Sequence, residues 1–105
     1  MSNALTAADF DQLVAGADKP VLVDFLAAWC GPCRALGPVV EEVAEEMSER
    51  LDVYKCNVDE ESELAQQFQI VSIPTLILFK GGKAVHTMVG NMPKAELIKE
   101  IEANL

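Results

Sequence analysis

The sequence predicts an α/β protein in which a mixed sheet carries helices on both faces. In the first half, short apolar runs at residues 21–27 and 51–59 flank a long amphipathic helical pattern, which is typical of a parallel strand–helix–strand unit. In the second half, two apolar runs are separated by Gly81 and Gly82, which predicts an antiparallel hairpin. The length of 105 residues suits a single domain over residues 1–105.

The first half begins with a predicted helix from about Thr6 to Ala15. Thr6 and Asp9 have the spacing of a capping box, and the apolar residues that follow recur at helical intervals. The run at 21–27 is apolar on both faces, so it predicts a central parallel strand. The long helix after it has apolar residues on one side and glutamates on the other. These glutamates, interpreted as a solvated face, are Glu41, Glu42, Glu45, Glu46 and Glu49.

The chain continues with a strand at 51–59 and a shorter helix whose apolar side includes Leu64. The two hairpin strands are "TLILFK" and "KAVHTMVG", on either side of the glycines. His86 falls within the second of these strands, where it is interpreted as an ordinary edge residue. Pro93 lies where a helix start tolerates proline, and the apolar residues after it give the last helix one buried face.

The composition argues against several classes of function. Eight Lys and Arg residues against 17 Asp and Glu residues give a net charge of −9, which repels phosphate backbones, so nucleic acid is not an expected partner. The first ten residues have no basic leader or apolar signal core, and no apolar run approaches the roughly 18 residues of a membrane span. A cytoplasmic protein without a membrane segment is therefore expected.

Cys30 and Cys33 are separated only by Gly31 and Pro32. They lie between the central strand and the long helix, which places Cys30 at a helix N-terminus. Free backbone N–H groups and the helix dipole favour an anion there, so the pKa of Cys30 should be lowered toward the reactive thiolate. Cys33, one turn further along, is close enough to close a disulfide, and making and breaking this bond is the natural chemistry of the pair.

A pair at this spacing can also be a permanent staple or half of a zinc site. A reducing compartment disfavours the staple. Zinc needs four ligands, and the chain adds only Cys56 and His86, far apart in sequence, so no metal is expected. A cysteine-protease site would need a histidine base, and His86 is interpreted as an edge residue instead.

Four segments resemble the thioredoxin family over essentially the whole chain: "WCGPCR", the preceding "VLVDF", the following "KCNVDE" and "SIPTLILFKGG". The resemblance implies a thioredoxin fold, a central mixed five-stranded sheet in the order β-α-β-α-β-α-β-β-α. It also implies a protein-disulfide reductase without a bound cofactor. In the reaction of such a reductase, the thiolate of Cys30 attacks a substrate disulfide and Cys33 resolves the mixed disulfide. The pair therefore cycles between dithiol and disulfide.

Asp24 interrupts the central apolar strand. An ionised carboxylate is costly to bury unless it is paired or protonated, and Lys55 is the expected partner. The resemblance implies that Asp24 is the general base that takes the proton of Cys33, with Lys55 modulating it.

The resemblance also implies a substrate-binding rim around the cysteines. Pro74 is expected to be a cis proline beside the disulfide, and the backbone of Ile73 to pair with extended substrate as an added strand. The residues of this rim are Trp29, Gly31, Pro32, Ile73, Pro74, Thr75, Gly90 and Met92.

Four further residues affect the details. Cys56 should point to the opposite face of the sheet from Lys55 and be an inert buried thiol, with a regulatory thiol as the alternative. Leu26, Ala28 and Val71 stand where the family commonly has a tryptophan, a polar or acidic residue and a basic residue. These departures bear on partner preference.

The resemblance implies that the protein is a monomer and that its partners are other proteins. They are disulfide-containing substrates and a thioredoxin reductase, expected to be a flavoprotein that uses NADPH, with a ferredoxin-linked enzyme as the alternative. A rival interpretation is a redox-independent binding subunit. An oxidase or isomerase is less favoured, because Gly31 and Pro32 add no charge that would strongly stabilise a thiolate.

Overall fold

Five strands form one sheet in the computed structural model, which describes residues 2–105. The strands are β1 (Asn3–Ala4), β2 (Val21–Leu26), β3 (Asp52–Asn57), β4 (Thr75–Lys80) and β5 (Lys83–Val89). Their order across the sheet is β1-β3-β2-β4-β5. β3 is parallel to β1 and β2, whereas β4 is antiparallel to β2 and β5. The predicted mixed sheet is confirmed.

Three α-helices cover the sheet: α1 (Gly31–Glu46), α2 (Ser62–Gln67) and α3 (Lys94–Ala103). Apolar residues of α1 and α3 pack on one face, in a cluster with Leu22 and Leu76. The N-terminal segment and α2 pack on the other face, around Phe25. The expected arrangement with helices on both faces is therefore confirmed. Between residues 2 and 105, no helix combines the length and apolar character that crossing a membrane requires.

The N-terminal segment differs from the predicted helix over Thr6–Ala15. It consists of a 3₁₀ turn at Ala7–Asp9 and a π-helical turn at Asp11–Ala15, closed by a hydrogen bond from the Gly16 N–H to the Asp11 carbonyl at 2.9 Å. The predicted contact at the start does form, because the Asp9 carboxylate accepts the Thr6 N–H at 2.9 Å. Ten residues span fewer than three turns, so their apolar spacing does not distinguish an α-helix from tighter or wider turns.

The hairpin between β4 and β5 turns through Gly81 and Gly82, whose φ angles are +60° and +82°. Both values lie in the left-handed region that glycine adopts without steric cost. His86 lies on the edge strand β5, as expected, and its Nε2 is 2.9 Å from Glu100 Oε1.

The centre of the sheet positions the site. Asp24 in β2 is in register with Lys55 of β3 and Leu76 of β4. Because side chains alternate along a strand, Asp24 shares a face with Leu22, the face that α1 covers. Cys30 follows the end of β2 and caps α1.

Candidate active site

Cys30 and Cys33 form a disulfide at the start of α1, with their Cα atoms 5.2 Å apart. Cys30 occupies the N-cap position, and the backbone N–H of Cys33 donates to Cys30 Sγ at 3.2 Å. Each residue is only 4% exposed. When the bond is reduced, this N–H and the helix N-terminus are placed to stabilise a thiolate at Cys30.

The loop before β4 lies against the disulfide. The Ile73–Pro74 peptide is cis, as predicted. The Ile73 carbonyl oxygen is 3.9 Å from Cys30 Sγ, and its side chain packs against the cysteine pair. Between residues 2 and 105, the Ile73 backbone makes no hydrogen bond to other backbone groups. Its amide and carbonyl groups therefore remain available to an extended peptide.

Two further rim residues fix the position of Pro74. The N–H of Gly90 donates to the Pro74 carbonyl at 2.9 Å, and Gly90 has a φ of +93°, which favours glycine. The Thr75 hydroxyl donates to the Ser72 carbonyl at 2.5 Å, and Thr75 is buried. Thr75 thus holds the bend before β4, and its side chain does not lie on the exposed rim.

Trp29 is an exposed residue of the rim, with 68% of its surface accessible. Its indole Nε1–H donates to Asp59 Oδ2 at 2.8 Å. Asp59 is itself held by its backbone N–H, which donates to Asn57 Oδ1 at 2.9 Å. The side chain next to the disulfide is therefore held in one orientation at the surface. Sequence analysis missed Asp59, because an acidic residue in a loop after a strand carries no distinguishing pattern.

The remaining rim residues lie at the start and on the flank of α1. Gly31 and Pro32 are exposed in its first turn. Met92 is partly buried and lines a shallow pocket together with Ala35 and Val39 of α1. The structure thus brings the predicted rim residues, except the buried Pro74 and Thr75, to the surface around the disulfide or beside its helix.

Asp24 is buried, with 1% of its surface exposed, and within residues 2–105 its Oδ1 has no hydrogen-bond partner. Burial raises the pKa of Asp24 from 3.8 to about 7; the positive charge of Lys55 opposes the rise, and the negative charge of Glu41 adds to it. Leu26, on the same face of β2, packs against the cluster formed by Ala27, Cys30 and Cys33. The carboxyl group therefore lies on the face of the sheet that carries the disulfide.

The expected ion pair between Asp24 and Lys55 is not formed, which corrects the sequence analysis. Lys55 Nζ lies 3.3 Å from Glu41 Oε2 on α1. The side chains of Lys55 and Glu41 are 43% and 33% exposed, so an ion pair between them keeps contact with water. A pair with Asp24 would require the ammonium to be buried, at a larger desolvation cost. Lys55 still acts on Asp24 through its charge.

Cys56 lies on the other face of the sheet, in the cluster with Phe25 and Leu64. It is fully buried, and burial raises its pKa to about 11. A thiol in this state is not a nucleophile, as the inert interpretation expects. Within residues 2–105, no three His, Cys, Asp or Glu side chains are grouped so that they can hold a metal ion.

The three departures from the family pattern occupy different surroundings. Leu26 is partly buried against the cysteine pair. Ala28 is exposed, and Val71 is 96% exposed beside a groove lined by Val58 and Ile70. An effect of these residues on partner preference stays a prediction.

Comparison with known proteins agrees with this geometry. The thioredoxin family model matches residues 2–103. The chain is 58% identical over 93 residues to a thioredoxin of Alicyclobacillus acidocaldarius subsp. acidocaldarius, covering 89% of this chain and 88% of that protein. It is 48% identical over 101 residues to thioredoxin 1 of Nostoc sp., covering 96% and 94%. It is also 50% identical over 97 residues to a bifunctional thioredoxin reductase/thioredoxin of Mycobacterium leprae, covering 92% of this chain and 21% of that protein.

The match extends over nearly the whole chain and includes the Cys30–Cys33 pair, which is closed here as a redox-active disulfide. The function is therefore thiol–disulfide exchange that reduces disulfides in other proteins. With five strands, helices on both faces and this pair at the start of α1, the chain belongs to the thioredoxin family.

Proposed function

We propose that the exchange proceeds in two steps, with Cys30 as the attacking thiolate and Cys33 as the resolving thiol. Cys30 forms a bond with one sulfur of the substrate disulfide, and the other substrate sulfur leaves as a thiolate. Cys33 then attacks Cys30, which releases the second substrate sulfur and closes the Cys30–Cys33 disulfide. Two electrons pass from the dithiol to the substrate, and the leaving thiolates take up protons.

The observation that carries this assignment is the hydrogen bond from the Cys33 N–H to Cys30 Sγ at the N-terminus of α1. A donor and a helix dipole at one sulfur stabilise negative charge on that sulfur. Cys33 lies inside the first turn of α1, and its own N–H is the donor in this bond. The asymmetry supports attack by Cys30 first.

The resolving step needs a group that removes the proton of Cys33, and we assign this role to Asp24. A base works best when its pKa is near the working pH, and burial raises the pKa of Asp24 to about 7. Its unpartnered Oδ1 has acceptor capacity to spare. Lys55 modulates this base through its charge.

Substrate docks on the rim around the disulfide. Trp29, Gly31 and Pro32 supply exposed surface, and the free backbone groups of Ile73 pair with an extended segment that carries the target cysteine. Pro74 and Gly90 hold the backbone of Ile73 in place, and the Thr75 hydroxyl stabilises the bend before β4. Met92 extends the rim along α1.

A thioredoxin reductase is the expected partner that restores the dithiol, with NADPH and a flavin supplying the electrons and a ferredoxin-linked enzyme as the alternative. The Mycobacterium leprae relative supports a partnership of this kind, because its name joins a thioredoxin reductase and a thioredoxin in one protein. We further propose that the chain acts as a cytoplasmic monomer without a bound cofactor, with disulfide-containing proteins as its substrates.

An insulin-reduction assay with dithiothreitol, together with a redox titration of the Cys30–Cys33 pair, tests the proposal. We expect insulin reduction and a potential near −270 mV, as in other thioredoxins, whereas a value near about −180 mV would indicate an isomerase. The double variant Cys30→Ser, Cys33→Ser should lose both reduction and biological function. Retained biological function without reduction would instead identify a redox-independent binding subunit.

A further inference from the structure

Glu41 is more constrained than the other glutamates of α1. The Ser2 N–H donates to Oε1 at 2.9 Å, the Ser2 hydroxyl donates to Oε2, and Lys55 Nζ lies 3.3 Å from Oε2. Desolvation acts to raise the pKa of Glu41, but the hydrogen bonds from Ser2 and Lys55 hold it below its ordinary value. Glu41 is therefore a fixed negative charge at neutral pH.

This carboxylate determines where the ammonium of Lys55 lies. Lys55 is in register with Asp24 on the neighbouring strand, and both side chains start on the same face of the sheet. The ammonium nevertheless lies against Glu41, and Asp24 Oδ1 has no hydrogen-bond partner among the residues that the structure describes. Two acidic groups thus compete for one cation, and Glu41, whose side chain is 33% exposed, holds it.

We propose that Glu41 is a positioning residue of the exchange reaction: by holding Lys55, it keeps the ammonium away from Asp24 and leaves that carboxyl group free to accept the proton of Cys33. The inference rests on the proposed role of Asp24 as the base. Glu41 touches neither substrate nor sulfur and acts only through Lys55 and its own charge.

The surroundings of Asp24 leave few other groups that can set its proton affinity. The charged groups that act on it are Lys55 from β3 and Glu41 from α1. The Cys33 thiol, also from α1, becomes titratable when the disulfide opens, and the neighbouring position on β4 is the apolar Leu76. A cation in direct contact lowers a carboxyl pKa by about 1 to 3 units, which would leave Asp24 a weak base at neutral pH.

The variant Glu41→Gln tests this inference by removing the charge that holds Lys55. We expect the pKa of Asp24, followed by carbon-13 NMR of its carboxyl group, to fall by about one unit. The midpoint of the pH profile of the resolving step, measured by stopped-flow reduction of a protein disulfide, should move down by the same amount. The matched control is Glu42→Gln, which removes an equal charge from the next residue of α1, whose contact is Lys94 instead of Lys55. Glu42→Gln should shift the pKa of Asp24 by less than about 0.3 unit.

A second background isolates the contribution of Lys55. In Lys55→Met, the further change Glu41→Gln should move the pKa of Asp24 by less than half as much as in the wild-type protein, because no ammonium remains to be released. Equal shifts from Glu41→Gln and Glu42→Gln would overturn the inference. So would a full shift that persists in Lys55→Met.

The NMR titration also separates this inference from the proposed function on which it rests. An Asp24→Asn variant whose pH profile equals that of the wild type would remove Asp24 from the mechanism, and with it the positioning role of Glu41. A changed profile in Asp24→Asn, together with an unmoved Asp24 pKa in Glu41→Gln, would overturn the role of Glu41 alone.

Discussion

Cys30 and Cys56 have nearly the same accessibility and opposite chemical surroundings. They are 4% and 0% exposed. Cys30 caps α1, where its sulfur accepts an N–H at 3.2 Å. Cys56 lies in an apolar cluster on the opposite side of the sheet, where burial raises its pKa to about 11. Accessibility alone therefore does not explain why one thiol is in a redox pair and the other is free.

The difference shows that the backbone around a thiol governs its reactivity. A helix N-terminus supplies donors and a positive dipole to Cys30, which favour the thiolate. The middle of β3 offers Cys56 no free donor, because its strand neighbours use their backbone groups in the sheet. Four variants test this contrast, in order of decreasing expected effect.

The largest expected effect is that of Cys30→Ser. A hydroxyl group at this position forms no disulfide with substrate, so insulin reduction should be abolished while the fold is retained. Reduction would be measured by insulin precipitation and the fold by circular dichroism. Residual reduction close to the wild-type rate would show that another thiol makes the first attack.

Cys33→Ser should permit the first step and stop the second. Cys30 still attacks, but no thiol remains to resolve the product, so a mixed disulfide between Cys30 and substrate should accumulate. Mass spectrometry under non-reducing conditions would detect the adduct and identify the cysteine that carries it. Trapping by Cys30→Ser instead would reverse the roles of the two thiols.

Asp24→Asn should slow the resolving step by about a hundredfold at or below neutral pH. The rate should recover as pH rises, since hydroxide then removes the Cys33 proton, while the first attack changes less. Stopped-flow reduction of a protein disulfide across pH would separate the two steps.

The same variant should be more stable than the wild type above neutral pH. The pKa of Asp24 is raised from 3.8 to about 7 in the folded protein, so between these values the folded state binds a proton that the unfolded state has lost. Ionisation of Asp24 therefore destabilises the fold increasingly as pH rises through this window. Urea denaturation should show that the free energy of unfolding of Asp24→Asn exceeds that of the wild type by about 2 to 4 kcal/mol near pH 8 and equals it near pH 4. A loss of stability at both values would make Asp24 a structural partner instead.

The smallest expected effect is that of Cys56→Ala on reduction. Removing a buried sulfur should lower the free energy of unfolding by about 1 to 2 kcal/mol through the small cavity it leaves, and insulin reduction should stay within twofold of the wild type. Val53→Ala, another buried site on β3, provides a matched control for loss of packing. Altered reduction in Cys56→Ala alone would support a regulatory thiol.

Local patterns predicted β2 to β5, α1 to α3 and the cysteine pair: apolar runs, helical spacing and the two glycines before Lys83. The same kind of spacing predicted a helix over Thr6–Ala15, where the structure has a 3₁₀ turn and a π-helical turn. The contacts made by the ends of long side chains could not be predicted in this way. The pairing of Lys55 with Glu41 depends on the distance between β3 and α1, and in sequence Glu41 is one member of a uniform acidic face. Likewise, the bond from Trp29 to Asp59 joins two loops that only the folded sheet brings together.

The central claim is that the helix N-terminus activates Cys30 while burial keeps Cys56 unreactive. Alkylation of the reduced protein tests this claim most directly. Iodoacetamide labelling across pH, resolved for each cysteine by peptide mass spectrometry, reports the thiolate fraction of each thiol. We predict that Cys30 is labelled with a pKa below the value of about 8.5 for a free cysteine, and that Cys56 is unlabelled until the protein unfolds. A Cys30 pKa at or above about 8.5, or labelling of native Cys56 at a comparable rate, would contradict the account.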